Sequence, residues 1–304
     1  MTGRRVLQII RNVLLIFAAL FGIFMLVVVP WFGTNIVTTF TFHFPDPNDG
    51  KTPQTYGLGF QWIRFNASDG IPLSGWYIPG PAKPRGTIIY CHGKNRTRIE
   101  MLPMAVFGHL LGYDGLLFDF RHSGMSGGKI STLGYQERLD VEAAVRYALH
   151  SENAPHPIVL WGVSMGAAAA LMAASETPAV GAVISDSTFL SFRQVIVHHV
   201  HLFFHLPSFP IADEIIYWSA WRGHFRPSDF DLRKAVQRIN PRPILFVAVR
   251  HDPRMPPWIA QELYSLSNSP KKSIVIVPGY RHGEGFNSGR EPYEAGVRKF
   301  LASL

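Results

Sequence analysis

Short runs of continuously apolar residues recur along this chain and constrain its fold more than any other feature. Strands that are apolar on both faces belong to parallel sheets covered by helices, and helical spacing appears between the runs. One helical stripe combines Val141, Ala144, Val145, Ala148 and Leu149, and another combines Tyr293, Val297, Phe300 and Leu301. The pattern predicts a doubly wound α/β sheet, mostly parallel. The apolar runs are residues 87–90 (TIIY), 115–118 (GLLF), 158–161 (IVLW), 182–184 (AVI), 244–247 (ILFV) and 274–277 (IVIV).

Two other segments set the limits of the folded domain. Residues 60–65 and 71–78 flank Asp69-Gly70, a pair that favours a tight antiparallel turn, so we expect a β-hairpin at the start of a domain covering residues 57–304. From about residue 188 to 240 there is no strand pattern and aromatic residues are frequent, which predicts a helical cap insertion. The cap aromatics are interpreted equally as the core of the cap or as the lining of an acyl pocket, which would lie within this domain.

The N-terminal region carries an uncharged apolar run at residues 13–32 (VLLIFAALFGIFMLVVVPWF). A helix of roughly 20 such residues matches the hydrocarbon thickness of a bilayer. A charged fraction of only 16% fits a chain with one segment in lipid. A cleaved signal peptide is the alternative, but no small-x-small cleavage site follows the run. The run predicts a transmembrane anchor.

Charges around the anchor indicate its orientation. Arg4, Arg5 and Arg11 precede the run, and the next charged residue after it is Asp46. Positive charge is retained on the cytoplasmic side. We therefore expect a cytoplasmic basic tail at residues 1–12, a single span at 13–32, a linker at 33–56 and an extracytoplasmic domain.

The net charge of +8 is the other feature with a bearing on partners. The Lys and Arg residues are scattered, and no nucleic-acid recognition motif is present, so nucleic acid is not an expected partner. Attraction to an anionic membrane surface accounts for the charge more simply. No obligate protein partner is predicted, and the single cysteine, Cys91, excludes an intrachain disulfide.

The motif G-x-S-x-G at residues 162–166 carries the strongest chemical signal. It directly follows the predicted strand 158–161 and precedes an Ala-rich helix. A nucleophile on a sharp strand-to-helix turn needs small neighbours, which explains the flanking glycines. Ser164 is the predicted nucleophile.

A serine hydroxyl needs a base, and the base needs a carboxylate to fix its tautomer. In this architecture the order along the chain is Ser, then Asp or Glu, then His. Asp252 and His282 each follow a predicted strand and stand in this order. Asp186, which follows another strand, is the alternative carboxylate.

Acyl transfer also needs hydrogen-bond donors for the developing oxyanion. The backbone N–H after the nucleophile and one from the loop after the third strand ordinarily supply them. These are the N–H groups of Met165 and Lys94.

Other polar clusters have competing interpretations. Arg121 and His122 are interpreted as groups that hold a loop beside the nucleophile, with substrate binding as the alternative. His198, His199, His201 and His205 suggest zinc, since positions 198, 201 and 205 would share one helical face, but no carboxylate or cysteine completes the set nearby. They are interpreted instead as histidines of an amphipathic cap. No metal and no organic cofactor are predicted.

Over roughly residues 60–304 the chain resembles the α/β-hydrolase superfamily. The elements that carry the resemblance stand in the family's order: H-G at 92–93, D-x-R-x-x-G-x-S at 119–126, G-x-S-M-G at 162–166, D-x-x-x-P at 252–256 and G-x-x-H-G-E at 279–284. The anchored form is similar to the branch with acyl-protein thioesterases and monoacylglycerol lipases, although H-G-K-N replaces the H-G-N-A often found there.

The resemblance implies a serine hydrolase that cleaves carboxylic ester or thioester bonds of a small-molecule or lipid acyl substrate. A serine peptidase or amidase of the same fold is one alternative. A catalytically silent binding or scaffolding protein is the other.

Overall fold

A computed structural model describes residues 3–42 and 44–304 of the chain. In these residues it contains eight strands and eleven α-helices, together with short 3₁₀- and π-helical segments. The strands are β1 Gln61–Asn66, β2 Pro72–Ile78, β3 Thr87–Cys91, β4 Asp114–Phe118, β5 Ile158–Val163, β6 Val180–Asp186, β7 Ile244–Val249 and β8 Lys272–Val277. The helices are α1 Gly3–Ile23, α2 Val29–Thr38, α3 Leu102–Leu110, α4 Glu137–Ser151, α5 Met165–Glu176, α6 Phe192–Phe204, α7 Asp213–Arg222, α8 Leu232–Arg238, α9 Pro257–Leu266, α10 Gly285–Ser288 and α11 Arg290–Ala302.

The strands form one sheet in the order β1-β2-β4-β3-β5-β6-β7-β8. β1 pairs with β2 and β2 with β4 in antiparallel fashion, and the pairs from β4 to β8 are parallel. The predicted hairpin and the predicted parallel sheet are both confirmed. Because the parallel strands point the same way, the loops that follow β3, β5, β6, β7 and β8 meet at one edge.

Alternating side chains of the strands bury both faces of this sheet. On β3, Ile88 and Tyr90 join one apolar cluster, while Ile89 and Cys91 join another on the opposite face. Helices α3, α10 and α11 cover the first face, and α4, α5, α8 and α9 cover the second. This two-sided burial explains why the strands lack polar alternation in the sequence.

The cap is smaller than predicted. Its base is closed by the backbone bonds Phe192 N–H to Phe230 O and Leu232 N–H to Leu190 O, at 3.1 and 2.8 Å. It contains α6 and α7, joined by an irregular turn at Ser208–Ala212. The predicted insertion extended to about residue 240, but α8 packs against α5 and α9 and belongs to the helical layer of the sheet.

The N-terminal helix is longer than the predicted span. α1 continues through Phe24–Val28 into α2, so helical structure runs from Gly3 to Thr38 with a mean hydropathy of 2.9 over its most apolar window. Of the predicted tail, residues 3–12 are helical, and residues 1 and 2 lie outside the described residues. The chain therefore has one apolar N-terminal helix of a length and composition shared by membrane anchors and signal sequences.

The predicted linker at 33–56 is wrong for residues 33–38, which complete α2. Gly33, Thr34 and Asn35 are buried there because α2 packs against α7 of the cap. A side chain at position 33 would collide with Ile215 of α7, so glycine permits the close approach of the two helices.

Candidate active site

Ser164 lies on a strained turn between β5 and α5. Its φ is +54° and its ψ is −116°, a conformation that L residues rarely adopt. Its backbone N–H donates to Asp186 O at 2.8 Å, which fixes the turn to the neighbouring strand. A Cβ at Gly166 would collide with the carbonyl of Cys91, so glycine is required there. The sequence thus produces a serine that projects from the C-terminal edge of the sheet.

His282 and Asp252 complete a hydrogen-bonded chain with this serine. His282 Nε2 lies 2.8 Å from Ser164 Oγ, and His282 Nδ1 lies 2.7 Å from Asp252 Oδ2. The backbone N–H groups of Arg254 and Met255 donate to Asp252 Oδ1 at 2.8 and 3.0 Å. This geometry requires the tautomer in which Nδ1 carries the proton and Nε2 accepts from the serine hydroxyl.

The charges around His282 determine how easily it accepts a proton. Burial lowers its pKa below the ordinary value, although the Asp252 carboxylate opposes this shift. For Asp252, burial raises the pKa, but the hydrogen bond and charge of His282 and two backbone donors outweigh burial, so its pKa is lowered. The arrangement keeps His282 neutral and Asp252 ionised near neutral pH.

Asp186, the alternative carboxylate, makes its hydrogen bonds with Ser187 and Tyr293 and not with His282. Its Oδ1 accepts from Ser187 Oγ and its Oδ2 from Tyr293 OH, both at 2.8 Å. Burial raises its pKa to about 6. Asp186 therefore holds the base of the turn that carries Ser164, while Asp252 is the carboxylate in contact with His282.

The loop after β3 lies beside the nucleophile. His92 Nε2 accepts from the Phe120 N–H at 3.0 Å, and Gly93 N–H donates to Glu100 Oε2 at 2.6 Å, so the loop is held from both sides. A Cβ at Gly93 would lie 3.8 Å from Ser164 Cβ. Met165 and Lys94 line the same cavity as Ser164, and their role as oxyanion donors stays a prediction.

A cavity of about 230 Å³ leads to Ser164 and is mostly apolar. Its walls include the α6 side chains Val195, Ile196 and Val200. Gly33, Ile36 and Val37 of α2 line it as well. The expectation that the pocket lies within residues 57–304 is therefore wrong, because the end of the N-terminal helix forms part of its wall.

Polar groups in the cavity are few, and besides Ser164 and Asn95 they are basic side chains. They include Lys94, Arg254 and His199. Burial lowers the pKa of Lys94 to about 8 and that of His199 to about 3. The sequence analysis named His199 only as a member of the histidine cluster and did not single out Arg254, because nothing in the local sequence indicates that either side chain faces the serine.

The other polar clusters have structural partners. Arg121 pairs with Asp140 and Asp69, each at 2.7 Å, and His122 Nε2 lies 2.9 Å from Thr39 O. The interpretation of these two residues as loop-holding groups agrees with these contacts.

The zinc alternative has no support in the structure. His198 Nε2 lies 2.9 Å from Pro253 O, which ties α6 to the Asp252 loop. Across residues 3–42 and 44–304 no three His, Cys, Asp or Glu side chains are grouped closely enough to hold a metal.

Comparison with known proteins yields distant relatives, and no family model matches the chain. The protein is 28% identical to YqkD of Bacillus subtilis over 240 residues, which cover 77% of each chain. It is 26% identical to YfhR of Salmonella typhimurium over 320 aligned positions, covering 99% of this chain and 98% of the relative. Protein bem46 of Schizosaccharomyces pombe is 25% identical, covering 77% of this chain and 74% of the relative.

Solved structures share the fold. The esterase Pf2001 of Pyrococcus furiosus superposes with a TM-score of 0.71 at 24% identity, covering 88% of this chain and 99% of that one. A dienelactone hydrolase of Anabaena variabilis superposes with a TM-score of 0.59 at 14% identity, covering 81% of this chain and 98% of that one. These comparisons, together with the strand order, define the architecture on which the candidate site is built.

Proposed function

Because this chain has the α/β-hydrolase fold, we propose that it is a membrane-anchored serine hydrolase that cleaves carboxylic ester or thioester bonds of lipid-like acyl substrates. One observation carries the proposal, namely the continuous chain of hydrogen bonds from Ser164 through His282 to Asp252. A strained serine at the edge of a sheet has no structural purpose that glycine would not serve better, because glycine adopts a positive φ without steric cost. Strain of this kind is retained where chemistry needs it.

The proposed reaction follows from the geometry. Ser164 Oγ attacks the acyl carbon while His282 Nε2 takes its proton, and Asp252 stabilises the imidazolium that forms. The N–H groups of Met165, at the start of α5, and of Lys94 stabilise the oxyanion. His282 then protonates the leaving alcohol or thiol, and water hydrolyses the acyl-enzyme by the reverse sequence of proton transfers. None of these steps calls for a metal or an organic cofactor.

Three features support the lipid-like substrate and the anchor. The cavity presents apolar side chains of α6 and α2 next to Ser164, and each buried methylene of an acyl chain adds about 0.8 kcal/mol of binding. The helix of 36 residues is about 54 Å long, which exceeds the roughly 30 Å of bilayer hydrocarbon. The Arg residues before the apolar run favour a cytoplasmic N-terminus and an extracytoplasmic domain.

The experiment that tests the proposal measures fluorophosphonate labelling and ester turnover of the full chain in detergent. Ser164→Ala should abolish labelling and lower kcat by about 10⁶-fold, since the members of such a triad act as a unit. Asp252→Asn should lower kcat by about 10⁴-fold because it favours the wrong imidazole tautomer.

Asp186→Asn is the matched control for Asp252→Asn, because Asp186 is equally buried but has no contact with His282. Greater damage from Asp186→Asn than from Asp252→Asn would overturn the assignment of the carboxylate. A wild-type protein that neither reacts with the probe nor turns over any acyl ester would be a silent scaffold, and preferential turnover of amides would make it a peptidase or amidase.

A further inference from the structure

Two cationic side chains face the cavity that contains the nucleophile. Lys94 enters it from the loop after β3, and Arg254 enters it from the loop that carries Asp252. No Asp or Glu is among the described residues that line this cavity. The wall around Ser164 therefore has a net positive charge in a mostly apolar space.

Neither cation has an ion-pair partner within residues 3–42 and 44–304. The Arg254 Nε atom is buried and makes no hydrogen bond. The nearest carboxylate along the chain, Asp252, already accepts from His282 and from two backbone N–H groups. Burying an unpaired charge is costly, and burial lowers the pKa of both Lys94 and Arg254.

A third group in the cavity also lacks a partner. His199 Nε2, contributed by α6 of the cap, is buried and makes no hydrogen bond. Buried polar atoms in native proteins are ordinarily paired, so unpaired ones that converge on a cavity indicate a ligand that completes them. Two buried nitrogen atoms without a hydrogen bond, Arg254 Nε and His199 Nε2, therefore meet beside Ser164 with the half-buried Lys94, which has no ion pair in the described part of the chain.

From this convergence we propose that Lys94 and Arg254 form an anion-binding subsite, so that the preferred acyl substrate carries a carboxylate or a phosphate near its scissile ester. This inference rests on the proposed function and specifies its substrate class. Arg binds planar anions through two hydrogen bonds and Lys acts as a point charge, so together they fit either anion. The apolar α6 and α2 walls then hold the acyl chain, and the substrate is an anionic amphiphile.

The test compares three decanoyl esters with the full chain in neutral detergent. They are monodecanoylglycerol, monodecanoylglycerol phosphate and decanoyl glycerate, which present no charge, a phosphate and a carboxylate. The wild-type protein should have a kcat/KM at least about tenfold higher for one or both anionic esters than for the neutral one, because a charge-assisted contact is worth about tenfold or more in binding. The ranking of the two anionic esters identifies the anion.

Lys94→Met and Arg254→Met remove a charge while keeping a long side chain, and Lys94→Met keeps the backbone N–H. Each variant should have about a tenfold lower ratio of kcat/KM for the anionic esters to kcat/KM for the neutral ester, mainly because KM for the anionic esters rises. Arg254→Lys keeps the charge, so its ratio should lie between those of Arg254→Met and the wild-type protein. Arg193→Met is the matched control, since Arg193 lies on α6 but pairs with Asp213 outside the cavity. It should leave the ratio unchanged.

Two results would overturn the inference. Equal kcat/KM for neutral and anionic esters in the wild-type protein would show that the cations do not select substrate. An equal loss of kcat/KM on all three esters in both Met variants would show that the two cations stabilise the oxyanion and do not bind an anionic group of the substrate. Either result would leave the serine hydrolase intact, whereas absence of turnover and of fluorophosphonate labelling would remove the proposed function itself.

Discussion

At the scale of single residues, the protonation of His282 controls the proposed chemistry. The imidazole is enclosed by the domain, and burial favours its neutral form because a charged ring is poorly solvated there. The Asp252 carboxylate acts in the opposite direction and would by itself raise the pKa. The lowered pKa of His282 means that burial is the larger effect.

The pH dependence of kcat/KM follows from this balance. His282 must be neutral to accept the serine proton, so the rate falls as pH drops through the pKa of the free enzyme. Since that pKa is lowered from the ordinary histidine value of about 6.5, the acid limb should lie below pH 6.5. In Asp252→Asn, which removes the charge that raises the pKa, the residual activity should show its limb at still lower pH. A limb above pH 6.5 in the wild-type protein would contradict this assignment.

Residue types and order were enough to single out Ser164, Asp252 and His282, because strand ends and glycine spacing are visible in the sequence. The fold brings these three side chains into hydrogen-bond contact, and their catalytic roles stay a prediction. The neighbours that determine the cavity were not predictable in the same way. Arg254 and His199 come from different loops and helices, and their convergence depends on how the cap closes over the sheet. Such contacts are properties of tertiary packing and leave no local pattern.

At the scale of elements, the end of the N-terminal helix is firmly attached to the cap. Arg222 of α7 donates from Nη1 to Asn35 Oδ1, Thr38 Oγ1 and Thr39 Oγ1 at 3.1, 2.8 and 3.0 Å. The backbone N–H of Ser131 donates to Thr38 O at 2.8 Å. α2 is therefore fixed to α7 of the cap and to the loop at Ser131, and the cavity wall that it provides has a defined position.

Changing that wall should change the accepted acyl length. Ile36→Trp should lower the kcat/KM ratio of decanoyl to butyryl esters about tenfold, because roughly two methylenes lose their contacts at about 0.8 kcal/mol each. Ile36→Ala should raise the ratio. The measurement uses dispersed p-nitrophenyl esters with the full chain in detergent.

The matched control for Ile36→Trp is Leu20→Trp, which makes a comparable change on an exposed position of the same helical segment. It should leave the chain-length profile unaltered. A profile that stays the same in all three variants would show that acyl chains do not contact α2.

Most elements were predictable from the sequence, but residues 33–38 of α2 were assigned to a linker. The spacing of apolar residues and the local composition predicted the hairpin, the parallel strands and the cap, because these patterns lie within short segments of the chain. Gly33, Thr34 and Asn35 instead resembled the start of a polar linker. They are helical because α7 packs closely against Gly33 and Arg222 binds the polar side chains, an arrangement that exists only after folding.

At the scale of the whole molecule, part of the cap lies beside the apolar segment of the N-terminal helix. Leu26, Val27 and Pro30 belong to the predicted span, and they line a groove together with Trp218 and Trp221 of α7. α6 and α7 with their connecting turn also form a bent helix pair that is jointly apolar enough to enter lipid. If residues 13–32 cross the bilayer as proposed, α7 meets its surface, where Trp side chains are favoured.

The last prediction separates lipid contact from catalysis. The double variant Trp218→Ala/Trp221→Ala should hydrolyse an ester embedded in anionic vesicles roughly tenfold more slowly, because it loses interfacial apolar area. Turnover of a dispersed ester should be retained, since neither tryptophan lines the cavity at Ser164. Trp62→Ala is the matched control, because Trp62 is 56% exposed on β1, the strand at one edge of the sheet. Equal losses on vesicles for both variants, or a loss on dispersed ester alone, would mean that α7 does not meet the bilayer and that the helix serves only as a tether.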